Sequence, residues 1–241
     1  RELVVEEMKR SHVVTITVGT THATSVLGLE LAETYPLTSY ATIGLHPVYA
    51  NDVDADMRKF EQILESTKGN PRVVGIGECG MDFFRVKNTD IDKNIEKKDE
   101  VSTESEYSVQ EKVFEHQIQL AKQYNLPLML HVRDSYQKTL TILSKYFNPT
   151  QVEYRGNAHF FVGSIQEAQA FLDLGFSISF TGVITFVPAY EELVRFVPLD
   201  RMFAETDSPY VSPAPYRGKR NTPVHVIEIY KKIAEIKQVP L

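Results

Sequence analysis

The sequence predicts a parallel (β/α)8 TIM barrel forming one domain over residues 1–241, with its first strand missing from the chain. Three observations predict it. The chain is 241 residues long, close to the roughly 250 usual for eight βα units. Short β-branched or apolar runs alternate with amphipathic stretches, the pattern of βαβ units joined by right-handed crossovers. Four of those runs also end on or near a residue able to hold a divalent ion: Glu78, His131, His159 and Asp207. Ligands recurring at strand ends are how such a barrel builds a site on its C-terminal rim.

The elements follow in order. The chain opens with Leu3, Val4 and Met8 at helical spacing and no cap before them. Val13–Val18 reads as a strand closed by Gly19, Thr24–Thr34 as a helix, and Tyr40–Gly44 as a strand. Asp54–Thr67 is amphipathic and leads into the strand Arg72–Gly77. Val109–Tyr124 is a helix carrying Val113, Ile118, Leu120 and Ala121 on or near its apolar face. Leu126–His131 and Ser135–Tyr146 give the next strand and helix, and Asn157–Phe160 a strand. Ser164 and Glu167 make the S-x-x-E box that starts a helix. Phe176–Phe180, Ala189–Phe196 and Met202–Ala204 read as strand, helix and strand. The last helix begins near Asn221 and Thr222, with Pro223 in its first turn. That makes seven strands where a closed barrel needs eight; the competing topology is an open doubly wound sheet, which would bind ligand at a switch point. Residues 86–107 are dense in Asp, Glu, Lys, Asn and Ser and read as a polar surface insertion without a packed core.

Composition narrows the function. A 42% apolar and 24% charged chain is ordinary for a globular protein. No apolar stretch approaches the roughly 20 residues of a membrane span. The absence of a leader and the single cysteine, Cys79, suit a cytoplasmic protein with no membrane association. The net charge of −6 argues against a non-specific nucleic-acid coat. It leaves room for a nucleic-acid enzyme, because metal ions and the basic loop Arg217, Lys219, Arg220 can receive phosphates.

Two histidines, a glutamate and an aspartate suit Zn, Mn or Mg rather than a soft metal. Each also has a structural reading on its own: a hydrogen-bonded rim histidine, or a turn residue for Asp207 before Ser208-Pro209. Five motifs in order resemble the TatD family of metal-dependent hydrolases, amidohydrolase-like barrels. They are Gly44-Leu45-His46-Pro47; Gly75 to Phe84 around Glu78; Leu126 to Asp134 around His131; Asn157 to Ser164 around His159; and Glu205 to Tyr210, followed by Arg217-Gly218-Lys219-Arg220-Asn221.

The resemblance implies that Glu78, His131, His159 and Asp207 bind one or two divalent ions, with Glu78 and Asp207 catalytic. Asp207 would help deprotonate the attacking water. It implies a deoxyribonuclease, with DNA as substrate and no obligate protein partner. His46, Arg133, Arg217, Lys219 and Arg220 would contact substrate. His46 could equally serve a turn, and Arg133 could equally pair with a carboxylate. Asp82 would orient a ligand histidine, and Glu205 would support the strand end. His12, His22, His116 and His225 receive no role. The family's H-x-H strand has no counterpart here, and the chain stops soon after Ile227–Ile236; both are expected of a sequence trimmed at its ends. Alternative functions are an ester or amide hydrolase such as a D-aminoacyl-tRNA deacylase, or an inert binding protein with an incomplete metal site.

Overall fold

The computed structural model describes residues 2–52, 55–84, 100–149 and 154–241. Along the chain run α1 (Glu2–Arg10), β1 (Thr15–Thr17), α2 (His22–Thr34), β2 (Ser39–Ile43), α3 (Met57–Ser66), β3 (Val73–Asp82), α4 (Glu100–Tyr124), β4 (Leu128–Arg133) and α5 (Tyr136–Tyr146). They continue with β5 (Gly156–Ala158), α6 (Ile165–Asp173), β6 (Phe176–Phe180), α7 (Glu191–Phe196), β7 (Met202–Ala204) and α8 (Val226–Lys237). The contacts divide the chain into two compact units, residues 16–151 and residues 1–15 with 152–241.

In the 16–151 unit the strands lie in the order β1-β2-β3-β4, and β3 is parallel to both of its described partners. Parallel strands covered by helices read as continuous apolar runs, and Ile43, Ile76, Met81, Leu128 and Leu130 of the strands are buried, as are Phe60, Phe114 and Ile118 of the helices. Burial pushes the Cys79 thiol far up, so this cysteine packs as a small hydrophobe.

Helix α2 starts at the Thr21–Thr24 capping box and α3 at Asp56, whose carboxylate accepts from Arg58 N. Within α4, Gln110 and Gln117 sit seven residues apart, two turns along one face. Gln117 accepts from Leu45 N at 2.9 Å and donates to Leu45 O at 3.0 Å. Gln110 accepts from Asp82 N at 2.9 Å and donates to Asp82 O at 3.2 Å. Each amide thus satisfies both backbone groups of one residue at the tip of β3 or just beyond β2.

The other unit orders its strands β5-β6-β7, all parallel. Every residue of β6 is buried. Its two serines are satisfied: Ser177 Oγ donates to Gly156 O at 3.1 Å, and Ser179 Oγ accepts from Asn157 Nδ2 at 2.7 Å. Ser164 and Glu167 form the predicted capping box of α6, and Pro223 opens a short 3-10 turn before α8.

Several boundaries depart from the sequence reading, among them β4, which runs Leu128–Arg133 rather than Leu126–His131 and so places His131 inside the strand. Strand β3 runs on to Asp82, so Glu78 lies inside a strand; the apolar run resumes at Cys79 and Met81, both fully buried. Strand β1 is three residues, shorter than Val13–Val18. Helix α4 begins at Glu100, so residues 100–107 are helical rather than part of a structureless insertion. The Tyr107 ring packs at 3.9 Å from that of Phe83. Composition hid this because Glu and Ser are tolerated on a helix face that need not be buried. The rest of the predicted insertion, up to residue 99, lies outside the described residues. No helix among the described residues is long and apolar enough to cross a membrane.

Candidate metal centre

The 16–151 unit brings Glu78, His131 and His46 together: one ligand atom from each lies within 4.8 Å of the others. Strands β3 and β4 pair Gly80 with His131 and Asp82 with Arg133, which sets the carboxylates of Glu78 and Asp82 beside the imidazole. Glu78 Oε1 lies 2.9 Å from His131 Nδ1, and Asp82 Oδ2 lies 3.0 Å from His131 Nε2. Asp82 is fully buried. A buried carboxylate requires a partner, and His131 Nε2 supplies it. With Nε2 held by Asp82, Nδ1 is the nitrogen on the Glu78 side that an ion would use. Two ligands at right angles about an ion, each at roughly 2.1 Å, stand about 3.0 Å apart. The Nδ1–Oε1 spacing fits a divalent ion, and the imidazole–carboxylate donor set suits Zn or Mn.

His46 differs. Its Nδ1 accepts from Val48 N at 3.2 Å, so the neutral ring carries its proton on Nε2, 3.8 Å from Glu78 Oε1. In that tautomer His46 is a hydrogen-bond donor and not a ligand. The ring stands 4.1 Å, centre to centre, from His131. Arg133, at the end of β4, is exposed and stacks on Phe84.

The other unit holds the remaining expected residues. His159 follows β5, and its Nδ1 lies 2.9 Å from Glu205 Oε2. The second oxygen of Glu205 accepts from Ser179 Oγ at 2.8 Å and from Phe160 N at 2.5 Å. Burial raises the Glu205 carboxyl, but His159 and these donors outweigh it and hold the group below its ordinary range. Glu205 therefore orients His159 through the nitrogen that a ligand leaves free. Asp207 is half-buried at φ +51, and its carbonyl accepts from Tyr210 N at 2.9 Å to close the turn. Arg217, Lys219 and Arg220 are exposed on the loop that follows.

Asn221, read from sequence as a helix start and as the last residue of the Arg217–Asn221 motif, has a role that sequence reasoning did not assign. It is buried, and its Nδ2 donates to Thr206 O at 2.8 Å and to Tyr210 O at 2.6 Å. Its main-chain N donates to Pro209 O at 3.1 Å. Its Oδ1 accepts from Thr222 N at 3.0 Å and lies 2.9 Å from His225 Nδ1, and burial pushes that imidazole down. One side chain thus clamps both ends of the Asp207 turn. The signal was an asparagine closing a basic loop, where an exposed amide is the usual expectation. Asn221→Ala removes the donor to two part-buried carbonyls, at the cost of an ordinary hydrogen bond or two, about 1–2 kcal/mol. Each kcal/mol shifts the melting temperature by about 2–4 °C at this size, so a drop of roughly 2–8 °C is expected in thermal unfolding. An unchanged midpoint would show that the clamp carries no stability.

The profile described as TatD related DNase matches residues 1–241. An uncharacterized metal-dependent hydrolase of Bacillus subtilis, YabD, is 34% identical over 99% of this chain and 85% of its own. A second, YcfH of Escherichia coli K12, is 35% identical over 81% of this chain; the match spans 65% of that relative, under two thirds of its length. The crystal structure of YJJV, a TatD homolog from E. coli K12, superposes with a TM-score of 0.82 at 28% identity, covering 99% of this chain and 85% of that one. The chain belongs to the TatD related DNase family of metal-dependent hydrolases and has its α/β, TIM-barrel-like fold.

Proposed function

We propose that the protein is a divalent-metal-dependent deoxyribonuclease that hydrolyses phosphodiester bonds, working inward from a strand end. The observation that carries the reading is His131 with a carboxylate at each ring nitrogen and the His46 donor beside it. Glu78 and His131 are the metal ligands of one unit, and His159 and Asp207 those of the other. Bound ions, one or two of Mg, Mn or Zn, supply the Lewis acidity that activates water and neutralises charge on a phosphoryl group. The chain's residues do the rest. Asp82 and Glu205 hold the two histidines in fixed orientation, which typically accounts for about 10–100-fold in metal affinity or activity. His46 directs an N–H toward an anionic oxygen. Asp207 accepts the proton of the attacking water. Arg133, Arg217, Lys219 and Arg220 face the backbone phosphates.

The test is metal removal and restoration on three substrates: single-stranded DNA, a small carboxylic ester and an aminoacyl-tRNA. DNA cleavage should vanish in chelator, return with a divalent ion, and exceed turnover of the other two. DNA left intact with every ion while ester or aminoacyl-tRNA is consumed would transfer the site to the deacylase reading. No turnover of any substrate would leave a binding protein.

A further inference from the structure

We infer that Phe84 and Arg133 form a stacking platform for an unpaired nucleobase beside the Glu78–His131 pair. The proposal rests on the nucleic-acid reading above and adds the part of the substrate that this surface recognises. Arg133 is the register partner of Asp82, and Phe84 lies two residues beyond Asp82. Arg133 is also two residues past His131 on β4, roughly 7 Å along the strand. The guanidinium carbon sits 3.9 Å from the centre of the Phe84 ring. The ring is 38% exposed, and Arg133 itself is exposed.

A guanidinium held over an aromatic ring is restrained there, and guanidinium groups and aromatic rings are the surfaces on which splayed bases stack. Surface cation–π pairs are common enough that one alone is weak. The placement separates this one from a purely structural pair. Arg72 over Tyr40 stands at the opposite end of β3, with its guanidinium bonded to the Pro36 carbonyl. In the other unit Arg217 stacks at 3.8 Å on Phe186, itself 37% exposed, just after the 3-10 turn that follows β6, but it also donates to Ser212 O at 3.2 Å, so that pair is structural like Arg72 over Tyr40. Bases in a duplex keep their faces covered, so the platform selects an unstacked end over paired DNA.

The test uses two single-stranded oligonucleotides, one intact and one with abasic sites at its terminal nucleotides. The full-length chain binds them in chelator, read by fluorescence anisotropy. Base–aromatic stacking is worth about 1–3 kcal/mol, and each 1.36 kcal/mol is tenfold. Phe84→Ala should therefore weaken binding of the intact strand by about 5–150-fold and leave the abasic strand unchanged. Phe84→Leu should match the alanine variant, and Phe84→Trp should restore binding. With divalent ions present, the same contrast should fall on KM and not on kcat, which covers a strand bound too weakly for anisotropy. Equal weakening of both strands would overturn the platform and leave only a grip on phosphate. No weakening of either strand overturns it too. If the unsubstituted protein neither binds nor cuts either strand, the nucleic-acid reading itself fails, which is a separate result.

Discussion

Glu78→Gln is expected to lower DNA hydrolysis by on the order of 10³-fold while the protein stays folded. The variant keeps the volume of the side chain and can still hydrogen-bond to His131. What it removes is the negative charge 2.9 Å from Nδ1, in a side chain only 12% exposed. Charge stabilisation by a bound ion is worth several kcal/mol, and at 1.36 kcal/mol per decade about 4 kcal/mol corresponds to the stated loss. The loss should appear in kcat/KM, with a parallel fall in bound divalent metal per chain.

A built-in control is Glu61, which contacts His116 at 2.7 Å, shorter than the Glu78–His131 contact. That pair is 42% and 39% exposed, and exposed ion pairs contribute roughly 0–1 kcal/mol. Glu61→Gln should leave turnover and metal content unchanged. Wild-type turnover in Glu78→Gln, or equal behaviour of the two variants, would remove Glu78 from the metal site.

The contrast between these two glutamates marks what the sequence could and could not convey. Both sit in otherwise regular segments, and only the apolar run before Glu78 set it apart. Strand β6 was legible to the residue, because Phe176–Phe180 is bounded by Gly175 and Thr181 and is apolar at every other position. Strand β3 was not. An ionisable residue normally ends a buried run, yet here Glu78 has imidazoles for neighbours and the buried strand continues past it.

Gln110 and Gln117 escaped notice for a related reason. Their partners are backbone groups 28 and 72 residues away, and nothing in a local window distinguishes a glutamine that satisfies a distant loop from one that faces water. The residues proposed as ligands and their order along the chain came from the sequence. Asp82 and Glu205 were expected as supports and make the hydrogen bonds that aim His131 and His159; the Asn221 clamp on the turn depends on contacts that only the fold creates.

Gly80→Ala is the substitution expected to cost the most stability, and the reason lies in the same strand pair. Gly80 adopts φ +136 and stands opposite His131 in the parallel ladder. A Cβ built on it meets the His131 carbonyl oxygen at 2.1 Å, with the carbonyl carbon at 3.1 Å and the nitrogen at 3.3 Å. All three are backbone atoms, so no side chain can rotate away, and β3 and β4 must separate. A non-glycine residue in such a region costs about 1–3 kcal/mol, and overpacking adds about 1–3 kcal/mol. Against a total stability of roughly 5–15 kcal/mol, a fall in melting temperature on the order of 10 °C is expected at about 2–4 °C per kcal/mol.

Gly69→Ala separates the two contributions. Its φ is +79 and nothing lies within 4 Å of the added Cβ, so only the conformational penalty of about 1–2 kcal/mol remains. Thermal unfolding of the two variants should differ by at least several degrees. Since the strand shift in Gly80→Ala also moves His131 relative to Glu78, whatever protein stays folded should bind divalent metal more weakly, while Gly69→Ala binds it normally. Identical midpoints would mean that the close approach of β3 to the His131 carbonyl does not set the stability of this region.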